Sequence, residues 1–290
     1  KGKVDLLFVE AAVNDLANKT PAAQQQKAME GIIRHALTAN PYMNIVLMAF
    51  VDEDKIRDYE NGKAPAEVAL HDQLAKYYKL SFLNLAQEVQ QRIANKEFTW
   101  KDDFKDLHPS PFGQEIYFQT IKTLLKNAAG QYRNESLVKS ILPAVQNKGY
   151  YGSGRYVSVD KATALKGFSV TPNWQPNDKA ETRARFVHVP VLEANQPGAS
   201  FSFTFTGNAA GIAIVAGPDA GMIKYSVDGK PDKVMDLYTQ WSGGLHLPWY
   251  LVLADGLPKG KHILKVQITA QKNKDSKGNA CRIVYFLANE

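Results

Sequence analysis

The chain has one cysteine in 290 residues and no apolar run long enough to span a bilayer. The single thiol excludes an internal disulfide framework and any metal site built from several cysteines. Cys281 stands among apolar, strand-like residues and reads as a small core side chain. The formal net charge is +6, but Lys, Arg, Asp and Glu are interspersed. There is no basic block of the kind a nucleic-acid surface needs. No repeat recurs at a fixed period, and no tract is of low complexity. An initiator Met and a targeting segment are also lacking at Lys1-Gly2-Lys3-Val4-Asp5-Leu6-Leu7-Phe8-Val9. A buried strand starts almost at once, so we expect a segment of the same protein to precede Lys1.

What is present falls into two textures. Residues 4–9, 44–50 and 80–85 are short, nearly unbroken apolar runs, which suit strands buried on both faces of a parallel sheet. Helical patterns separate them. Thr20-Pro21 reads as an N-cap with proline at the first helical position, followed by the stripe Met29, Ile32, Ile33 and Ala36. Further helices are predicted over about 65–78 and 86–94. A last one carries Tyr117, Ile121, Leu124 and Ala128 at helical spacing. Strand–helix alternation predicts a three-layer α/β domain over residues 1–130. Residues 131–149 read as a linker with a helical turn or two. From 150 to 290 the chain turns to Val, Phe, Tyr, Ile and Thr punctuated by Gly, Pro, Asn and Asp. Ser200 to Phe205 alternates with period two, and Lys224 to Val227 closes on Asp228-Gly229, a hairpin signal. This half reads as an all-β sandwich or jelly roll.

Two stretches carry candidate chemistry. Asp106-Leu107-His108-Pro109-Ser110-Pro111 places a histidine on a proline-stiffened loop at a helix start, a good position for a general base. In an open α/β sheet, ligands bind beyond the carboxyl ends of the strands. At the end of the first strand stands Glu10-Ala11-Ala12-Val13-Asn14-Asp15, where the Asn14 carboxamide can point an N–H at a developing oxyanion. Taken singly, an Asn-Asp pair after a strand is an ordinary turn or cap, and a His-Pro loop is ordinary too. His71 and His35 read as helix-face histidines, and His188 and His262 as half-exposed residues of strand-like segments.

Taken together and in this order, the stretches resemble two blocks of the SGNH (GDSL-type) hydrolases over roughly the first 130 residues. Glu10 to Asp15 is similar to the third block, Gly-x-Asn-Asp, and Asp106 to Ser110 to the fifth. The resemblance implies a flavodoxin-like domain lacking its N-terminal part, with Asn14 as oxyanion donor and His108 as base. It departs from the family at three points. Ala12 stands where the family has Gly. The family's Asp lies three residues before the His, where this chain has Lys105. Asp106 or Asp103 would then orient the imidazole, with proximity favouring Asp106; a Ser-His dyad or a backbone carbonyl is the other option. The Gly-Asp-Ser nucleophile block is missing: Gly152-Ser153-Gly154 and Lys274-Asp275-Ser276 do not follow buried strands. The resemblance therefore implies a nucleophilic serine on the missing N-terminal segment and an acyl-enzyme mechanism that needs no metal or other cofactor.

In the second half, Trp241-Ser242-Gly243-Gly244-Leu245-His246-Leu247-Pro248-Trp249-Tyr250 is a Gly/Pro-rich stretch with two indoles. Exposed on a β-sandwich, Trp241 and Trp249, with His246, would bind sugar rings; otherwise the two indoles pack against the hydrolase domain or fill the core. The expected protein is a carbohydrate O-acyl esterase, acetylesterase-like, secreted or periplasmic, acting on an acylated carbohydrate. It is expected to have no nucleic-acid partner and no membrane span. A lipid or small-ester hydrolase and a non-catalytic glycan-binding protein are the alternatives.

Overall fold

A computed structural model describes residues 4–130 and 138–290. The chain divides into two compact units, Lys1–Gly152 and Ser153–Glu290. In the first, β1 (Leu6–Glu10), α1 (Ala12–Ala17), α2 (Ala22–Ala39), β2 (Asn44–Ala49), α3 (Glu53–Glu60), α4 (Ala66–Tyr78), β3 (Ser81–Asn84), α5 (Leu85–Ala94), a π-helical turn (Trp100–Phe104) and α6 (Pro111–Gly130) follow one another. The three strands are parallel, in the order β1-β2-β3.

The sheet lies between two apolar layers. Ile45 and Leu47 of β2 face Met29, Ile33 and Leu37 of α2 and Leu70 and Leu74 of α4. Val46 and Met48 face Leu85 and Val89 of α5 and Ile116 and Tyr117 of α6. Alternate β2 residues point to opposite faces, so an unbroken apolar run serves both layers. α3 was not separable in the sequence because its eight residues, EDKIRDYE, are almost all polar. It forms where the Asp52 side chain accepts the Lys55 N–H at 2.9 Å and caps its first turn. β1 pairs with β2 alone, and Leu6 is 39% exposed. Among the described residues no strand covers its other edge.

Residues 131–137 of the expected linker lie outside the described residues. Residues 138–148 contain no helical turn and instead are fastened to the α/β unit. Buried Glu30 of α2 accepts N–H groups from Gln146 and Asn147, each at 2.8 Å, and the Tyr78 hydroxyl at 2.5 Å. Burial pushes the Glu30 pKa up, but these donors outweigh it and hold the carboxyl below its ordinary range. Arg34 donates to the Pro143 carbonyl at 2.9 Å.

The second unit is all β: β4 (Gly154–Ser158), β5 (Ala162–Lys166), β6 (Ser169–Trp174), β7 (Glu181–Thr182), β8 (Val189–Ala194), β9 (Ser200–Gly207), β10 (Ala209–Ala216), β11 (Met222–Val227), β12 (Lys233–Asp236), β13 (Leu245–Ala254), β14 (Gly260–Ile268) and β15 (Cys281–Asn289). One sheet runs β6-β8-β15-β10-β13-β7 with β4 beside β15, the other β12-β11-β14-β9-β5. Their facing sides share one core. Phe201, Phe203 and Phe205 of β9 point inward, and the Phe203 ring stacks on Phe286 of β15 with centroids 4.1 Å apart. The turn after β11 places Asp228 and Gly229 at φ 53° and 72°. Two successive positive φ values make it a type I′ turn, which Asp-Gly accommodates.

Candidate active site

The first element of the site is the exit from β1. Glu10 ends the strand, and its Oε1 accepts the Val13 N–H at 3.2 Å and the Phe50 N–H at 3.3 Å. One carboxylate thus ties the start of α1 to the exit of β2. Burial raises the Glu10 pKa, and these amide donors only partly offset it. Ala12 is fully buried and has a negative φ, so the family's Gly is not required there. The residue preceding α1 is Ala11, whose methyl group cannot cap the helix, and the first-turn Val13 N–H is met by Glu10 instead. Asn14 is therefore not the cap. Its side chain is exposed and has no hydrogen-bond partner among the described residues, which leaves the carboxamide able to donate.

The second element is the loop that enters α6. Lys105 sits at φ 88°, ψ −67°, the strained form of a γ-turn. Ser110 closes the loop: its N–H donates to Phe104 O at 2.9 Å and its hydroxyl to Asp103 O at 2.5 Å. Inside this closure Asp106 Oδ1 accepts the His108 N–H at 2.5 Å and lies 3.7 Å from His108 Nδ1. The side chains are 89% exposed for His108 and 66% for Asp106. Asp103, the other candidate orienter, points elsewhere: its Oδ2 accepts the Thr99 N–H at 2.7 Å and the Thr99 hydroxyl at 3.0 Å. Of the two aspartates, the structure brings Asp106 to His108 and engages Asp103 in the π-helical turn.

The exit of β1 stands at the carboxyl rim of the sheet, and α6, which the His108 loop enters, reaches that rim at Tyr117. The Glu10–Phe50 bond marks that rim for β1 and β2. The Tyr117 hydroxyl of α6 accepts the Val51 N–H there at 3.1 Å, and its ring stacks on Phe50 at 4.6 Å. Beneath lies a buried polar layer that sequence patterns did not isolate. Lys55 is fully buried and paired with Asp52. His71, fully buried, has Nδ1 2.8 Å from the Glu67 carbonyl, while its Nε2 has no partner among the described residues. Burial, then the nearby Lys55 charge, holds the His71 pKa down. The only sequence sign of this layer was a charged quartet directly after an apolar strand.

Residues 1–116 match the model of the GDSL-like lipase/acylhydrolase family. The likeness to GDSL-type acylhydrolases falls within the first unit. No curated protein matches the chain in sequence. In fold, the chain is similar to a two-domain esterase active on acetylated mannans. Co-crystallised with mannopentaose, that protein superposes with TM-score 0.73 and 17% identity over 99% of this chain and 72% of its own. Without the sugar the values are 0.72 and 16%, over 99% and 73%. Helices and a parallel sheet followed by a β-rich half are common to both.

Neither serine motif outside the matched residues is presented as a nucleophile. Ser276 is buried and its hydroxyl donates to Ala220 O at 2.7 Å. Ser153 precedes β4 and binds Asn289 Oδ1 through its N–H at 3.0 Å. The expected sugar-binding trio is also dispersed. His246 is 1% exposed, edge-on to Trp174, with Nε2 2.9 Å from Asp178 Oδ1. The expectation for it is corrected: Gly217 lies so close that a Cβ there would stand 2.3 Å from His246 Nδ1, leaving a ligand no access. Trp249 packs partly buried on the inter-sheet core, because its neighbour in register is inward-facing Ile214. Trp241 alone stays open, at 48% exposure. The Gly217 to Gly221 turn, which composition marked as plain, supplies Asp219, and Arg282 grips it through two hydrogen bonds of 2.7 Å. His262, expected half exposed, is buried between Asp228 and the Pro258 carbonyl.

Proposed function

We propose that the protein removes O-acetyl or other O-acyl groups from a carbohydrate, with His108 as general base and Asn14 as oxyanion donor. The observation that supports this reading is an exposed carboxamide directly after β1 together with an imidazole on the loop before α6, the helix whose Tyr117 reaches the β2 exit. A serine hydroxyl attacks the ester carbonyl while His108 Nε2 takes its proton. The tetrahedral oxygen draws an N–H from Asn14, and the carbonyl reforms as the alcohol leaves with the proton from His108. Water, activated by the same imidazole, then releases the acid. Asp106, fixed on the His108 N–H and 3.7 Å from Nδ1, is the carboxylate that would orient the imidazole.

The sequence has no Gly-Asp-Ser after a buried strand, so we place the nucleophile on a preceding segment of the same protein. The open edge of β1 is a ready template for an added strand. Action on extracellular polymers makes a secreted or periplasmic location the matching one, and the β unit, as a sandwich or jelly roll, the carbohydrate-holding part. The missing nucleophile block is also what favours the rival reading, a non-catalytic glycan binder on a hydrolase scaffold. The test uses the protein with its native preceding residues and measures acetate release from an acetylated mannan. We expect His108→Ala to abolish release without a change in melting, and Asn14→Ala to lower it by about 10²–10³. Full activity in both variants overturns the assignment. Faster turnover of long-chain esters than of the acetylated glycan would favour a lipid hydrolase.

A further inference from the structure

We propose that Tyr156, Tyr250 and Tyr285 form a stacking site for the uncharged pyranose rings of a glycan chain. The proposal deepens the reading of a carbohydrate substrate by naming where the β unit grips it. The three residues come from β4, β13 and β15, far apart in sequence, and the sheet register gathers them on one face. Ala213 pairs with Tyr250 on one side and Tyr285 on the other, and Tyr156 pairs with Leu287 beside them. Ile212 and Ile214 point into the core, so Ala213 and these tyrosines point out. The ring centroids of Tyr156 lie 4.8 Å from Tyr285 and 6.4 Å from Tyr250, with tilts of 32° and 36°. The hydroxyls of Tyr156 and Tyr250 meet at 3.5 Å across β15 and β10. The small side chain of Ala213 leaves room for that bridge.

Tyr156 is 60% and Tyr250 49% exposed. Large aromatics left this open, side by side, on rigid strands form a ready-made apolar surface with polar tips. A tyrosine has few rotamers to lose on binding. The outward neighbours in register, Ser158, Ala213, Leu287 and Val252, carry no charge. Such a surface suits a flat ligand with an apolar C–H face and hydroxyl edges. A polyanion would need Lys or Arg beside the rings. Burial, followed by the Tyr156 contact, pushes the Tyr250 hydroxyl up to about 12, so Tyr250 stays uncharged through the physiological range.

The test is calorimetric titration of the full chain with mannopentaose, which carries no ester. Tyr156→Ala and Tyr250→Ala should each weaken binding by roughly three- to tenfold. Tyr156→Phe and Tyr250→Phe, which keep the ring, should stay near the parent value. Melting curves check that the alanine variants fold, and the phenylalanine pair keeps the comparison valid if one does not. Equal affinity in parent and alanine variants, or no binding by the parent, overturns the site. Loss of a dimer in Tyr156→Ala with sugar affinity unchanged also overturns it, as a contact between copies. A protein that binds the sugar through these rings yet releases no acid from any ester removes the esterase reading and leaves the site standing.

Discussion

At the scale of single residues, the His108 loop shows how local chemistry divides labour between neighbouring carboxylates. Asp103 and Asp106 are three residues apart, yet Asp103 holds Thr99 and Asp106 folds back on His108. In the protein with its nucleophile, Asp106→Asn should lower kcat by roughly ten- to a hundredfold, less than for a buried orienter, because water screens so open a pair. Asp103→Asn should lower the melting temperature and leave turnover per folded molecule unchanged. Steady-state kinetics beside thermal melts separates the two; the reverse pattern would reassign the orienter. A second residue pair sets a pH dependence. Asp228 Oδ2 lies 2.6 Å from His262 Nδ1, and the Pro258 carbonyl lies 2.8 Å from Nε2. Asp228 first, then Pro258, raises the His262 pKa. A folded-state pKa above the unfolded value of about 6.5 means the stabilisation is complete below that pH and lost as pH rises through the folded value. The depressed pKa of Asp228 removes its share only in acid, as pH falls through its folded value. Melting temperature should therefore fall as pH rises above about 6.5, and His262→Gln should flatten the curve. An unchanged slope in that variant would show the pair to be inert.

At the scale of elements, α6 and its entry loop behave as one piece. Gly113 lies in the first turn of α6, where a Cβ would stand 2.7 Å from Pro109 Cβ and 2.8 Å from the Phe104 ring. The helix can approach the loop only because that position has no side chain. Gly113→Ala should push Pro109, and His108 with it, away from the rim, at a cost of about 1–3 kcal/mol in stability. The decisive measurement is kcat relative to the fraction folded: the loop account expects both to fall, and a stable variant with full turnover would refute it. The charged quartet Asp52-Glu53-Asp54-Lys55 illustrates an element hidden from pattern reading. Its helix is held by a capping bond and by burial of Lys55, and no apolar stripe announces it.

At the scale of the whole molecule, each unit encloses its own core, with every strand of Ser153–Glu290 paired inside that unit. A fragment of residues 153–290 should fold alone, giving β-rich circular dichroism and a cooperative melt; an unfolded fragment would show that the boundary is wrong. Much of this architecture was legible in the chain. Apolar runs marked β1 and β2, period-two alternation marked β9, and Asp228-Gly229 marked its turn, because these signals depend only on neighbours in sequence. Asn14 and His108 were readable as candidates because each sits beside a local signature of strand end or helix start. What the sequence could not determine was which side chains stay open to water. Trp241, His246 and Trp249 look alike in sequence, yet one is open, one is sealed behind Gly217 and one lies on the core. Tyr156, Tyr250 and Tyr285 look unrelated, yet register aligns them. Exposure and adjacency across strands are fixed by pairing between residues as far apart in sequence as Gly154 and Asn289, and only the tertiary structure decides them.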